Sequence, residues 1–319
     1  MLLYLLRRAV ILCVSLLVAF MVLFFLLRLL PGDPSASLLS VGASPEQIAA
    51  ARAQVGSDLP LGEQFVKFLT DIFRLDLGTS FVSGVPVADE VGERLSVTLP
   101  LTLMAFALAI LISVPLGILS AVKSERWYAQ VLSVVSQLGI AVPAFWLGIL
   151  LVLVFSINLR WLPSGGFPTR GWEEPLDAVT KLILPVVTVA LIMSAALMRY
   201  VRAATFDVLG SDYLRTARAM GDSFAGALRR HGLRNGAIPV ISILGIELGS
   251  AFLGAVVIER VFTLPGLGSM LLLAIEQRDY PNIQGVLLLS TLLVLVVGFI
   301  ADILQRLVDP RLRSERARI

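Results

Sequence analysis

The sequence predicts an all-α polytopic membrane protein. It has six transmembrane helices, both termini cytoplasmic, and a small external helical cap between helices 1 and 2. Three observations predict it. Of 319 residues, 57% are hydrophobic and only 15% charged, against roughly 25% charged in soluble domains, and mean hydropathy is +0.88. A soluble chain cannot hide that much apolar surface, so lipid must solvate much of it. Several apolar runs reach the ~20 residues a helix needs to cross a ~30 Å hydrocarbon core. None alternates with the period that a membrane β-barrel would require.

The six runs are Ala9–Leu30, Val97–Val122, Ala129–Leu159, Leu182–Val201, Ile238–Ile258 and Ile283–Val308. Backbone N–H and C=O groups must be satisfied internally in hydrocarbon, so these runs are helices rather than loops. A cleavable signal is the competing reading of the first run, with Arg7 and Arg8 before it and Ser35-Ala36-Ser37 after it. The run exceeds the ~7–15 residues of a signal's apolar region.

Basic residues set the orientation. Arg7 and Arg8 precede the first span, Lys123 and Arg126 occupy the second loop, and the last loop before the fifth span holds Arg202, Arg215, Arg218, Arg229, Arg230 and Arg234. The tail adds Arg311, Arg313, Arg316 and Arg318. Segment 31–96 carries four basic and nine acidic residues. The termini and the loops at 123–128 and 202–237 are therefore cytoplasmic. The chain divides into 1–30 (N-terminus and first span), 31–96 (external segment), 97–308 (a five-helix core with the 202–237 loop) and 309–319 (cytoplasmic tail).

Within 31–96, Pro31-Gly32-Asp33-Pro34 stops the first helix. Ser44-Pro45-Glu46 opens another, with Ser44 as N-cap and Pro45 at the first helical position. Residues 62–75 form an amphipathic helix with Phe65, Phe68, Leu69 and Ile72 on one face. Leu162-Pro163-Ser164-Gly165-Gly166-Phe167 is a turn cluster. Met270–Gln277 is a short re-entrant or interfacial helix.

No Gly-Lys pair exists, so a P-loop ATPase in this chain is excluded. The one cysteine, Cys13, lies in an apolar run, and the one histidine, His231, cannot assemble a multi-His metal site. The modest formal charge of +3 gives no case for nucleic acid. Ionisable groups at membrane depth need a reason. Glu247 lies near the middle of the fifth span, and Asp302 nearer the cytoplasmic end of the sixth. Glu247 either lines a translocation path or faces a helix interface, because Gly245 and Gly249 form a GxxxG around it that permits close approach. Pro115, Pro143 and Pro185 lie within spans, either as kinks that widen a path or as tolerated prolines.

Asp212 to Asp222 reads Asp-Tyr-Leu-Arg-Thr-Ala-Arg-Ala-Met-Gly-Asp. A short helix ends at Gly221, and a second starts near Asp222 or Ser223. This basic helix–turn–helix, with small residues Ala217, Ala219 and Gly221, suits docking into a partner's groove. Its wording resembles the EAA loop of binding-protein-dependent ABC importer permeases. Of the generic motif only Ala217 matches. The oligopeptide/dipeptide branch, however, resembles the whole run to Gly221, then Arg230-His231-Gly232-Leu233-Arg234-Asn235 and Pro239. Leu30-Pro31-Gly32-Asp33-Pro34, Leu162-Pro163-x-Gly165, Glu259-x-x-Phe262-x-x-Pro265-Gly266-Leu267-Gly268 and Arg278-Asp279-Tyr280-Pro281 extend the resemblance. A short cytoplasmic N-terminus before a long external segment resembles the B-type partner of the permease pair. Glu247 departs from the branch, where a neutral residue is expected.

The resemblance implies a permease subunit, itself no enzyme, in the inner membrane of a prokaryotic cell. It implies a heterodimer with a homologous second permease, two ATPase subunits or one fused ATPase, and an extracytoplasmic solute-binding protein. ATP and Mg would be bound by the ATPases, and this chain holds no cofactor or metal. Coupling would lie at Asp212, Tyr213, Arg215, Thr216, Ala217, Arg218, Ala219 and Gly221, and a structural role falls to His231. Gly245, Glu247 and Gly249 would line the path or pack helices. Pro265, Gly266, Gly268, Asp279 and Tyr280 would form an external gate or touch the binding protein. Di- and oligopeptides are the expected cargo, with nickel, glutathione or haem as alternatives. An ion-coupled secondary transporter is the alternative of another class.

Overall fold

The computed structural model describes residues 2–29, 44, 46 and 58–308. The expected helix opened by Ser44, the Pro31–Pro34 stop and the arginine-rich tail lie outside that set. The helices are α1 (Leu2–Leu29), α2 (Leu61–Phe73), α3 (Val87–Val122), α4 (Trp127–Ala141), α5 (Ala144–Leu151, continued as π-helix over Val152–Asn158), α6 (Pro175–Leu209), α7 (Asp212–Ala219), α8 (Phe224–Ala227, continued as π-helix over Leu228–Gly232), α9 (Leu233–Val261), α10 (Leu267–Gln277) and α11 (Tyr280–Val308). Among the described residues β pairing is limited to an isolated Thr79–Pro86 bridge. Five helices are long and apolar enough to cross a membrane, or six if the bent α4–α5 pair counts as one span.

That pair corrects the expectation of a continuous third span. α4 and the helix that follows meet at 107°. Pro143 lacks an N–H, and its ring drives the preceding residue out of the α region. Val142 is accordingly extended at φ −79°, ψ 124°. Pro115 and Pro185 lie inside helices that continue through them. The helices also outrun the apolar runs. α3 begins at Val87 rather than Val97, and α6 covers Pro175–Leu209 rather than Leu182–Val201. At 1.5 Å per residue, α3 is roughly 54 Å long against a ~30 Å core. Hydropathy marks only the part of a helix that lipid covers.

The centre is the α3–α6 pair, which share the most extensive contact in the chain. Leu101, Ala105 and Ala109 of α3 pack with Leu182, Ala190, Met193 and Leu197 of α6. Ala251 and Ile258 of α9 and Phe262 after it close this core. α1 lies outside it, against α11. Arg8 Nη1 sits 2.7 Å from Asp302 Oδ2, and Tyr4 donates its hydroxyl to the Asp302 carbonyl. The Arg306 guanidinium lies 3.8 Å from the Tyr4 ring centroid. Asp302, the second carboxylate in the apolar runs, is thus paired. Asp302→Ala is expected to lower the thermal stability of the solubilised protein by about 1 kcal/mol, the upper range for a partly exposed pair. The Arg8→Asp/Asp302→Arg exchange should restore most of it.

The predicted amphipathic helix is α2. Phe65 and Phe68 pack on Phe24 of α1, with ring centroids 5.4 Å from it in each case, and Leu69 and Ile72 join them beside Leu288 of α11.

Candidate functional site

The segment from Ser211 to Gly232 forms the helix–turn–helix predicted for it. α7 is amphipathic. Leu214 and Ala217, three residues apart, are buried against Ala227 and Leu209. Its outer face exposes Asp212, Tyr213, Arg215, Thr216, Arg218 and Ala219, continued by Met220 and Gly221. Thr216 spends its hydroxyl on the Asp212 carbonyl, 2.9 Å away.

The turn is a Schellman motif. Gly221 N–H bonds to Arg218 O at 3.1 Å, and Asp222 N–H to Ala217 O at 3.2 Å. It requires positive φ at Gly221, which is +100°. A β-carbon there would meet nothing within 4 Å, so the demand for glycine is conformational rather than steric. Ser223 caps α8 by accepting the Gly226 N–H at 3.1 Å. His231 Nε2 and Arg230 Nη1 each lie 3.7 Å from an Asp222 oxygen, tying the second helix back to the turn. Arg218 lies over the Phe224 ring, 5.8 Å from its centroid. Ala217 faces inward, three residues from Leu214 on the buried stripe.

α7 is mechanically joined to the bundle. Gly232 and Gly236, at the base of the following helix, pack on Val208 of α6. Just beyond them an apolar cavity of about 240 Å³ separates α9 from α3 and α6, lined by Val114, Ile118, Ala204, Val240 and Leu244 among others.

At the opposite end of α9 a buried carboxylate organises the chain. Glu259 is fully buried. Its Oε2 accepts the N–H groups of Gly268 at 2.7 Å and Ser269 at 3.0 Å, at the start of α10. Its Oε1 accepts the Thr98 hydroxyl from α3, and Thr98 Oγ1 accepts Leu267 N–H at 2.9 Å. An anion at a helix N-terminus is favoured by the orphan N–H groups and the helix dipole. α3, α9 and α10 are thereby bound at one point.

A second knot lies nearby. Asp279 accepts the Ser80 hydroxyl at 2.5 Å and Phe81 N–H at 3.1 Å. Asn282 donates to both Asp279 and Glu90. The 78–86 turn is thereby fastened to the start of α11. These contacts tie residues expected at an external gate or binding-protein contact into the chain's own interior. Gly266, Gly268 and Asp279 are buried within this chain, while Pro265 and Tyr280 are half-buried.

Gly245 and Gly249 face α11. A β-carbon on Gly245 would lie 2.3 Å from the Ala301 β-carbon, and one on Gly249 3.4 Å from Val294 Cγ1. Glu247 lies off that seam, half-buried. Sequence reading found this carboxylate. It also named Glu259 without a role. The available signal was an acid at the end of an apolar run, followed seven residues later by Gly-Leu-Gly.

Comparison with known proteins places these features. The family described as "Binding-protein-dependent transport system inner membrane component" matches residues 113–314, and its N-terminal companion matches residues 1–102. A putative peptide transport system permease protein of Brucella abortus (strain 2308) is 39% identical over 292 residues, covering 92% of this chain and 93% of the relative. A glutathione transport system permease protein of Salmonella choleraesuis is 38% identical over 313 residues, covering 98% and 99%. A solved inward-facing structure of the MetNI methionine ABC transporter superposes with a TM-score of 0.58 at 17% identity, over 69% of this chain and 96% of that one.

Proposed function

This chain belongs to the binding-protein-dependent transport system inner membrane component family and is a multi-pass permease of an ABC importer; on that premise we propose that it imports short peptides through α7-mediated coupling to separate ATPase subunits. The relatives' names support the cargo class, since both a peptide and glutathione, a tripeptide, contain amide-linked amino acids. A homologous second permease completes the path, and a solute-binding protein delivers cargo from outside. ATP and Mg are held by the ATPases. The basic 123–128 and 202–237 loops and both termini face the cytoplasm.

One observation carries the coupling assignment. α7 is a short amphipathic helix whose buried stripe is Leu214 and Ala217, with its other face open. That face combines apolar Tyr213 and Met220 with cationic Arg215 and Arg218. It fits an acidic-rimmed apolar groove on an ATPase. Closure of the ATPases moves α7, and the connection through α8 passes the movement to α9, a two-state change biased by nucleotide. On α9, the exposed Ile246, Ser250 and Leu253 line a cavity shared with α1 and α11, with Glu247 beside them. Of the carboxylates singled out in the apolar runs, Asp302 is paired with Arg8, which removes one candidate for an ion-coupled carrier.

Gly221→Val tests it. A branched residue at φ +100° strains the turn by roughly 1–2 kcal/mol without a clash, so folding and assembly should persist. Transport and substrate-stimulated ATPase activity of the assembled complex are expected to fall about tenfold, the equivalent of such a cost. Unchanged transport at equal complex abundance would sink the coupling role.

A further inference from the structure

α2 has three chemically distinct edges. Phe65, Phe68 and Ile72 are turned to α1 and α11. Lys67 and Asp71, four residues apart, line a polar cavity of about 360 Å³ together with Arg28, Asp76 and Gln284. The remaining edge holds Val66 and Phe73, seven residues apart, which are 63% and 88% exposed. Leu75 follows immediately, 82% exposed and at φ +59°. An isolated exposed leucine is ordinary. A large aliphatic residue in the left-handed region, beside an exposed phenylalanine, is not what an aqueous turn selects, where Gly or Asn would serve.

The depth of α2 decides what covers this edge. It packs on Phe20, Leu23 and Phe24 of α1, five to nine residues inside the external end at Leu29. At 1.5 Å per residue that is roughly 7–14 Å below the end of the span. α1 is 28 residues, about 42 Å, so a centred ~30 Å hydrocarbon layer reaches to within ~6 Å of its end. α2 therefore lies at the boundary between hydrocarbon and headgroups. On α1, Val22, Phe25 and Leu26 are exposed, and Phe25 stacks on Phe65 of α2 with ring centroids 6.3 Å apart. The charged edge of α2 lies on its other side. A helix with one apolar and one charged edge at this depth has the pattern of an interfacial anchor.

We propose that Val66, Phe73 and Leu75 insert into the acyl chains of the outer leaflet, so that the external cap rides on lipid and its charged edge faces water. The partner is the bilayer rather than a protein, and the inference does not depend on the cargo or the coupling role.

Nitroxide accessibility in the complete transporter, reconstituted in phosphatidylethanolamine/phosphatidylglycerol vesicles, tests it. Cys13→Ser with otherwise cysteine-free partners provides the background. Spin labels are placed singly at Phe73→Cys, Leu75→Cys and Lys67→Cys, and transport is measured for each. At 73 and 75, collisions with oxygen are expected to exceed those with a water-soluble nickel chelate several-fold, with the reverse at 67. Nickel-dominated collisions at 73 and 75 would place the edge in water and overturn the proposal. Suppression of both reagents there would place it against protein, the second permease or residues 30–57, and would overturn it equally. Two labelled positions, one beyond the helix end, keep the result independent of any single variant's folding.

Discussion

Gly268→Ala is expected to be severely damaging for a change of a single methyl group. A β-carbon at Gly268 would lie 2.3 Å from Val256 Cα, which is backbone of α9, and 2.8 Å from the valine side chain. Backbone cannot rotate out of the way, so α10 must separate from α9. That separation breaks the 2.7 Å bond from Gly268 N–H to Glu259 and leaves a buried carboxylate short of donors. Overpacking alone costs about 1–3 kcal/mol. Hydrogen bonds to a charged group add roughly 1.5–3 kcal/mol. The folded fraction after detergent extraction, followed by size-exclusion profile and thermal melting, should collapse. Glu259→Gln should be milder, because the amide preserves the shape but replaces one accepting oxygen with a donor. If Gly268→Ala melts within a few degrees of the parent protein, α10 is not docked by backbone contact and the capping scheme fails.

The second large effect lies at the α9–α11 seam, and its signature is an asymmetry. Gly245→Ala meets the Ala301 β-carbon at 2.3 Å, whereas Gly249→Ala meets Val294 Cγ1 at 3.4 Å, an ordinary contact. Between membrane helices, close packing replaces the hydrophobic effect as the main attraction, so a forced gap is not offset elsewhere. Gly245→Ala is expected to cost about 1–3 kcal/mol and Gly249→Ala little. Thermal unfolding of the purified complex measures both. The additional change Ala301→Gly should recover much of the Gly245→Ala loss. Equal sensitivity at the two glycines would contradict the seam.

Hydropathy located the spans because crossing lipid requires a long apolar run. It did not locate helix ends, since α3 and α6 continue into water on residues with no such constraint. It also did not show that Val142 and Pro143 break the third span. Pro115 carries the same local chemistry within an intact helix, and only tertiary packing separates the two outcomes. The turn at Gly221 and the cap at Ser223 were legible because capping is local chemistry. The Glu259–Thr98 bond joins positions 161 apart, and Asp279–Ser80 joins positions 199 apart. No local pattern encodes such pairs. For the same reason the external motif reads in sequence as a surface, while in three dimensions three of its five named residues are interior.

The Glu259 cluster has a consequence for how far small motions travel. It pins α9 to α3 and α10 at one end, while the cavity beside Val240 and Leu244 leaves the other end room to move. α9 is 29 residues, a rod of about 43 Å. Pivoting by roughly 10° about the pinned end would carry the far end some 7 Å, more than one helical turn. In any such tilt the buried carboxylate would be the fulcrum, and helix length would set the leverage that converts a shallow angle into a displacement of a helical turn.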